Sequence, residues 1–182
     1  MTDERLDLYK RTLLAWNEKI NLIGPEAKRN LDAHIAEALY AAEILKPDGD
    51  VLDFGSGGGL PAIPMAIASP NARFHLVEAD KKKWAFLKHV VRDCKLKAVV
   101  HGDRLDRVLT KLPAELRFSL VTSRAVGKPE EWLPSLAQWM KPDGRAALFQ
   151  STDSVPRMHH FWKQAEYKLD RGYLVTFHVE HK

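Results

Sequence analysis

Apolar residues recur at helical spacing along residues 2–20, where Leu6, Tyr9, Leu13 and Trp16 share one stripe, and this spacing predicts an amphipathic helix. Gly24-Pro25 breaks the pattern, since that pair does not continue a helix. Residues 27–45 predict a second helix, with Leu31, Ile35, Leu39 and Ala42 on one face, and Pro47-Asp48-Gly49 turns the chain. From residue 51 short apolar runs alternate with helical patterns. Strands are predicted at 51–54, 73–78, 97–101, 118–122 and 145–149. Helices are predicted at 62–68, at 81–95 with Trp84, Leu87 and Val91 inward, and at 130–140. Lys141-Pro142-Asp143-Gly144 reads as a turn, and the tail reads as a hairpin of residues 165–169 and 173–179.

Repeated strand–helix units with short connections imply an α/β fold, a doubly wound and mostly parallel sheet covered by helices on both faces. The chain has 182 residues, which suits one domain. Residues 1–46 are expected to form an N-terminal helical cap, 47–150 a cofactor-binding core, and 151–182 a C-terminal helix and antiparallel hairpin. A terminal hairpin distinguishes the class I S-adenosylmethionine-dependent methyltransferase arrangement from a dinucleotide-binding fold, whose sixth strand is parallel. Trp132, Trp139 and Trp162 read as core anchors.

Composition narrows the class only a little. No apolar stretch is long enough to span a membrane, and the charged start Met1 to Arg5 does not read as a secretory signal. The single cysteine, Cys94, has no partner for a disulfide or a metal site, which suits a reducing, cytoplasmic setting. A net charge of +4 is compatible with a polyanionic partner without requiring one.

The candidate chemistry begins after the first strand. Asp53-Phe54-Gly55-Ser56-Gly57-Gly58-Gly59 lies between a strand and a helix, where glycines let the backbone turn sharply and approach a ligand. Read from Gly55, a dinucleotide fingerprint requires glycine where Leu60 stands, and Pro61 follows it. No Gly-Lys-Ser/Thr follows either, so a phosphate-binding P-loop is excluded and a cofactor without phosphates is favoured. Glu78 ends the second strand at the distance expected of a ribose-binding acid. Asp53 is placed to face the cationic part of S-adenosylmethionine.

Several segments together resemble the glucose-inhibited division protein B (GidB) family. They are Trp16-Asn17-Glu18-Lys19-Ile20-Asn21-Leu22 ahead of His34, the run VLDFGSGGGLPAIP over residues 51–64, Leu76-Val77-Glu78, Lys82-Lys83, Phe86-Leu87 and Ser123-Arg124-Ala125. The resemblance implies a methyltransferase that uses S-adenosyl-L-methionine to methylate N7 of a guanine in small-subunit ribosomal RNA, as free RNA or in the 30S subunit. It implies that Gly55, Ser56, Gly57 and Gly59 line the cofactor loop, that Leu60 and Pro61 continue its wall, and that Glu78 binds ribose. Arg104 would lie beside the adenine and Arg124 over the active site, near both methyl donor and base. Asn17, Asn21 and His34 would close the site from the front. Apart from the resemblance, the Lys81-Lys82-Lys83 run reads either as a solvated helix face or, with Lys88, Arg92, Arg104, Arg107 and Lys128, as a basic rim for RNA phosphates. Three departures stand out: Glu37 and Ala38 replace an aspartate–serine pair, Gln150 and Ser151 replace Lys-Gly, and the segment around Arg104 carries one extra residue.

Guanine N7 has a lone pair and no proton, so the reaction needs no general base. The chain matches that requirement: the fourth strand ends Thr122-Ser123-Arg124, without the Asp/Asn-Pro-Pro of exocyclic-amine methyltransferases. Cys94, within a helix, is unsuited to act as a nucleophile. No metal is expected, and the chain is expected to be a monomer without membrane association. A methyltransferase of a small molecule or protein, or a non-catalytic ribosome-binding relative, are the alternatives.

Overall fold

The computed structural model describes residues 3–151 and 160–179. Helix α1 (Glu4–Asn17) starts at Asp3, whose carboxylate accepts the Arg5 backbone N–H at 2.9 Å. The expected helix over 27–45 is interrupted. Helix α2 (Pro25–Arg29) ends at Asn30, whose side-chain amide donates to the Glu26 carbonyl at 2.9 Å, and α3 (Leu31–Leu45) then starts afresh. A short amide side chain that bonds the local backbone competes with helix continuation, and here it separates two helices.

The sheet contains β1 (Asp50–Phe54), β2 (Arg73–Val77), β3 (Ala98–His101), β4 (Phe118–Arg124), β5 (Met140–Gln150), β6 (Phe161–Leu169) and β7 (Gly172–Val179). Their order is β3-β2-β1-β4-β5-β7-β6, parallel from β3 to β5, with β7 antiparallel to both β5 and β6. The connections carry α4 (Ala62–Ala68), α5 (Lys81–Asp93), α6 (Leu105–Leu109) and α7 (Pro129–Trp132). Strand order reverses between β1 and β4, and such a switch point is where open α/β sheets bind ligands, beyond the strands' carboxyl ends.

Alternation along β1 divides the interior. Val51 belongs to an apolar cluster shared with α1, α3, α4 and α5, while Leu52 faces a second cluster with α6, Leu133 and Leu136. The N-terminal helices therefore share the main core: Tyr9, Leu13, Ala38 and Ala41 are fully buried against α4 and the sheet. Across β1, β2 and β3 a polar chain crosses the second face. His75 bonds Asp50 at 3.0 Å and His101 at 3.1 Å, and burial followed by the neighbouring His75 pushes His101 down to about 4.

Several local expectations are corrected. The helix over 130–140 is α7 followed by a 3₁₀ segment, Leu133–Trp139, because Pro134 has no N–H to donate and its ring opposes the carbonyl four residues back. The Lys141–Gly144 turn lies inside β5, where the pairing with β4 jumps from Phe118↔Met140 to Leu120↔Arg145. On α5 the buried residues are Phe86, Leu87 and Val90, and the Trp84 indole instead donates to the Val100 carbonyl at 3.2 Å. Trp162 is 65% exposed on the outer strand β6 and anchors no core, whereas Trp132 and Trp139 pack against the second cluster. The expected C-terminal helix lies largely outside the described residues, and β6 starts at Phe161, earlier than the periodicity suggested. Gly172 makes the hairpin possible at φ +135°, where an added Cβ would sit 2.2 Å from the Gln150 carbonyl oxygen.

Tyr9 ties this core to the chain leaving β1: its hydroxyl donates to the Gly58 carbonyl at 2.8 Å with the side chain wholly buried. Tyr9→Phe keeps the ring and leaves that carbonyl unpaired. The expected result is a loss of about 1–3 kcal/mol in urea unfolding, with the m-value unchanged.

Candidate active site

The chain leaves β1 through a turn at Gly55, Gly57 and Gly59, all at positive φ. The Gly55 and Ser56 amides donate to the Val77 carbonyl at 3.0 and 3.1 Å, which pins the turn to the end of β2. Glu78 grips the loop from the side: its Oε2 accepts the Gly57 N–H and its Oε1 the Asp80 N–H, each at 2.8 Å. A Cβ on Gly55 would lie 2.4 Å from a Val126 methyl, so the segment after β4 closes tightly on the turn. At Gly57 a Cβ would meet only the Gly55 carbonyl oxygen, at 3.7 Å, and otherwise open space.

Two cavities meet at this loop. One, of about 850 Å³, is lined by Ser56, Gly57, Leu60, His34, Arg124, Lys128 and Gln150 among others. The other, of about 720 Å³, is lined by Glu78, Arg104, Leu105, Phe54 and Trp132. Gly55 and Val126 belong to both. Each volume is in the range of small-molecule sites. In the second cavity the Phe54 and Trp132 rings lie 4.7 Å apart, an apolar wall suited to a flat heterocycle, with the Glu78 carboxylate beside it. Each Glu78 oxygen that holds a loop amide keeps a further lone pair for a hydroxyl.

Asp53 lies beneath the loop, 1% exposed, and lines neither cavity. Its Oδ1 accepts the Thr122 hydroxyl at 2.6 Å, and the Ser56 hydroxyl donates to the Asp53 carbonyl at 3.1 Å. Burial pushes its carboxyl up to about 6, against the lowering effect of the Thr122 and Ser56 hydroxyls.

Arg124, at the end of β4, reaches into the first cavity's wall. Its Nη2 donates to Glu37 Oε2 at 2.6 Å and to His34 Nδ1 at 2.7 Å, and its guanidinium lies 5.3 Å from the Phe149 ring centre. Arginine only donates, so Nδ1 of His34 is assigned as the accepting nitrogen and the ring proton to Nε2. Glu37 is 4% exposed. Burial opposes its ionisation, but the Arg124 hydrogen bond and charge, with the Arg171 N–H, hold its carboxyl below the usual carboxylate range. The pattern of residue types held one signal for this acid: a carboxylate on the apolar face of α3, between Leu31 and Leu45, demands a buried partner.

The remaining expected site residues are dispersed. Asn17 Oδ1 accepts the Leu22 and Ile23 amides, each at 2.9 Å, and so shapes the chain that walls the first cavity. Asn21 is exposed, and neither it nor Lys83 lines either cavity. Arg104 pairs with Asp106 at 3.3 Å and Lys128 with Glu131 at 2.6 Å. Cys94 is buried, and its thiol is raised by burial. Among the described residues no cluster of His, Cys, Asp or Glu is arranged to hold a metal ion, and no helix is long and apolar enough to cross a membrane.

The strand order, the antiparallel β7 and the glycine loop at the switch point define a class I methyltransferase fold. The same architecture is found in the O-methyltransferase TomG of Streptomyces achromogenes, with a TM-score of 0.67 at 13% identity over 100% of this chain and 92% of that one. A methyltransferase from Geobacter sulfurreducens superposes with a TM-score of 0.66 at 13% identity, covering 98% and 92%. The chain belongs to the GidB family, rRNA small subunit methyltransferase G, whose family model matches residues 2–173. It is 32% identical over 174 residues to the ribosomal RNA small subunit methyltransferase G of Wolinella succinogenes, covering 95% of this chain and 83% of that protein. The Paracoccus denitrificans protein of the same name is 33% identical over 165 residues, covering 88% and 83%.

The buried Asp53 generates a test. Its folded pKa is raised, so it contributes stability below about 3.8 that is lost as pH rises through about 6. Asp53→Asn keeps an acceptor for Thr122 and removes the buried charge. Urea unfolding without ligand is expected to show the variant more stable than the parent by on the order of 2 kcal/mol at pH 8, with the difference vanishing at pH 3.5.

Proposed function

We propose that this protein transfers a methyl group from S-adenosyl-L-methionine to N7 of a guanine in small-subunit ribosomal RNA, acting as a monomeric single-domain enzyme of the cytoplasm. What carries the reading is the junction at Gly55 and Val126, where the cavity holding Glu78 meets the cavity holding Arg124. Glu78 accepts the ribose hydroxyls while it holds the loop, and Phe54, Trp132 and Arg104 flank the adenine. Gly55, Ser56, Gly57 and Leu60 form the floor for the amino-acid end, Gly59 lines neither cavity and turns the chain against Ile63 behind it, and Asp53 supports that floor from below through Ser56. The open space in front of Gly57 and the lone pairs left on Glu78 fit such a ligand. Bound there, S-adenosylmethionine supplies an electrophilic methyl group on sulfur.

The guanine enters the first cavity. Arg124 orients it by donating to O6 or to an adjoining phosphate, the geometry for which a planar guanidinium is suited. N7 presents a lone pair without a proton, so no base is required. The two buried acids nearest the loop are already engaged, Glu37 with Arg124 and Asp53 with Thr122. Catalysis is then alignment in a water-poor site. His34 lines the front wall, Asn17 shapes it through the Leu22 and Ile23 amides, and Lys83 and Lys128 contribute to phosphate attraction, which salt weakens.

Methyl incorporation from labelled S-adenosylmethionine tests the reading on 30S subunits, free ribosomal RNA and cell metabolites. The ribosomal substrate is expected to be labelled, and aniline treatment after borohydride is expected to cut it at one guanine. Label confined to metabolites, or an RNA product resistant to aniline, would overturn the substrate or the target atom. Glu78→Ala is expected to weaken cofactor binding in calorimetry by about 1.5–3 kcal/mol, because a charged acceptor is lost. Gly57→Val is expected to abolish binding, and unchanged affinity in both variants would remove the loop from the site.

A further inference from the structure

Arg124 is held by a clasp drawn from three separate parts of the chain. Glu37 comes from α3 in the N-terminal cap, Arg124 from the end of β4, and Arg171 from the turn between β6 and β7. Glu37 divides its two oxygens between them: Oε2 takes Arg124 Nη2 at 2.6 Å, and Oε1 takes the Arg171 backbone N–H at 2.8 Å. His34, one turn earlier on α3, accepts the second proton of the same Nη2 at 2.7 Å. Arg171 is fastened again by its side chain to Glu26 of α2. The clasp uses both protons of Nη2, while the other terminal nitrogen, Nη1, is buried and has no hydrogen-bond partner among the described residues.

Glu37 fixes where the Arg124 guanidinium lies. A carboxylate that is itself 4% exposed and anchored on a second N–H cannot follow a wandering guanidinium, so Arg124 is confined to one rotation with Nη2 turned toward α3. We infer that Glu37 is a positioning residue for methyl transfer, which holds the Arg124 guanidinium in one orientation in the wall of the cavity that takes the guanine. Glu37 touches neither substrate nor cofactor, and it lines neither cavity. The inference rests on the role proposed above for Arg124.

The test is a double-mutant cycle read in single-turnover rate, S-adenosylmethionine affinity and thermal midpoint together. Glu37→Gln keeps the shape and one acceptor oxygen but removes the charge that fixes the guanidinium. The expected result is a fall in methyl-transfer rate on the order of 10- to 100-fold, with cofactor affinity within twofold of the parent. In an Arg124→Ala background the same substitution is expected to change the rate by less than twofold, because there is no guanidinium left to place. A merely structural role would lower the midpoint and leave the rate of the folded fraction unchanged.

The outcomes separate the two ideas. If Arg124→Ala turns over at the parent rate, the role of Arg124 is wrong and the inference falls with it. If Arg124→Ala is slow while Glu37→Gln is not, Arg124 stands and the positioning role of Glu37 is overturned. Equal and independent losses in the two backgrounds also overturn it. Should Glu37→Gln not fold, Glu37→Asp serves instead. It keeps the charge but draws it back by one methylene, and a smaller loss of rate, again absent in the Arg124→Ala background, is expected.

Discussion

The chain must reverse direction at the end of β1 within five residues, and it does so with a backbone that has almost no side chains to hold it. Glycine makes the turn possible and leaves it without fastenings of its own. The fastenings are supplied from outside: Val77 carbonyl from β2, Glu78 from the next residue, Tyr9 from the first helix, and Val126 from the segment after β4. Each of these also has a place in the larger architecture. The parallel pairing of β1 with β2 brings Val77 within reach, and the burial of α1 brings the Tyr9 hydroxyl to Gly58. The loop thus depends on the whole fold, and the buried Asp53–Thr122 pair lies beneath it.

Charge follows the same logic. Asp53 and Glu37 are both buried acids, yet they are driven in opposite directions. Asp53 has only hydroxyl partners, and burial dominates it. Glu37 has a guanidinium and a backbone amide as partners, and these outweigh burial. A carboxylate whose ionisation is resisted suits a supporting position below the loop, while one whose charge is secured suits the retention of a cation. The ordinary chemistry of burial and pairing separates the two roles.

Much of the architecture was readable from periodicity. The alternation of β1 and the spacing of apolar residues on α1 and α3 mark their buried faces directly, and the glycine run with Glu78 marks the carboxyl edge where the cavities lie. What periodicity missed depended on single residues or on distant partners. Pro134 and Asn30 broke helices that their neighbours favoured. Trp162 looked like a core residue by type but sits on an outer strand. Glu37 and Arg171 are 134 positions apart, and the group Arg171 contributes is a backbone N–H, which leaves no trace in residue identity. Val126 and Trp132 line the cavities from a short segment whose pattern suggested only a connection and a core anchor.

The two cavities share just Gly55 and Val126, and their linings are otherwise separate. A substitution in either lining away from that junction therefore changes the surface of one cavity and leaves the other's lining untouched. Affinity for a small ligand beside Glu78 and for a large one over Arg124 is thus free to change separately, and among the described residues Gly55 and Val126 alone couple the two.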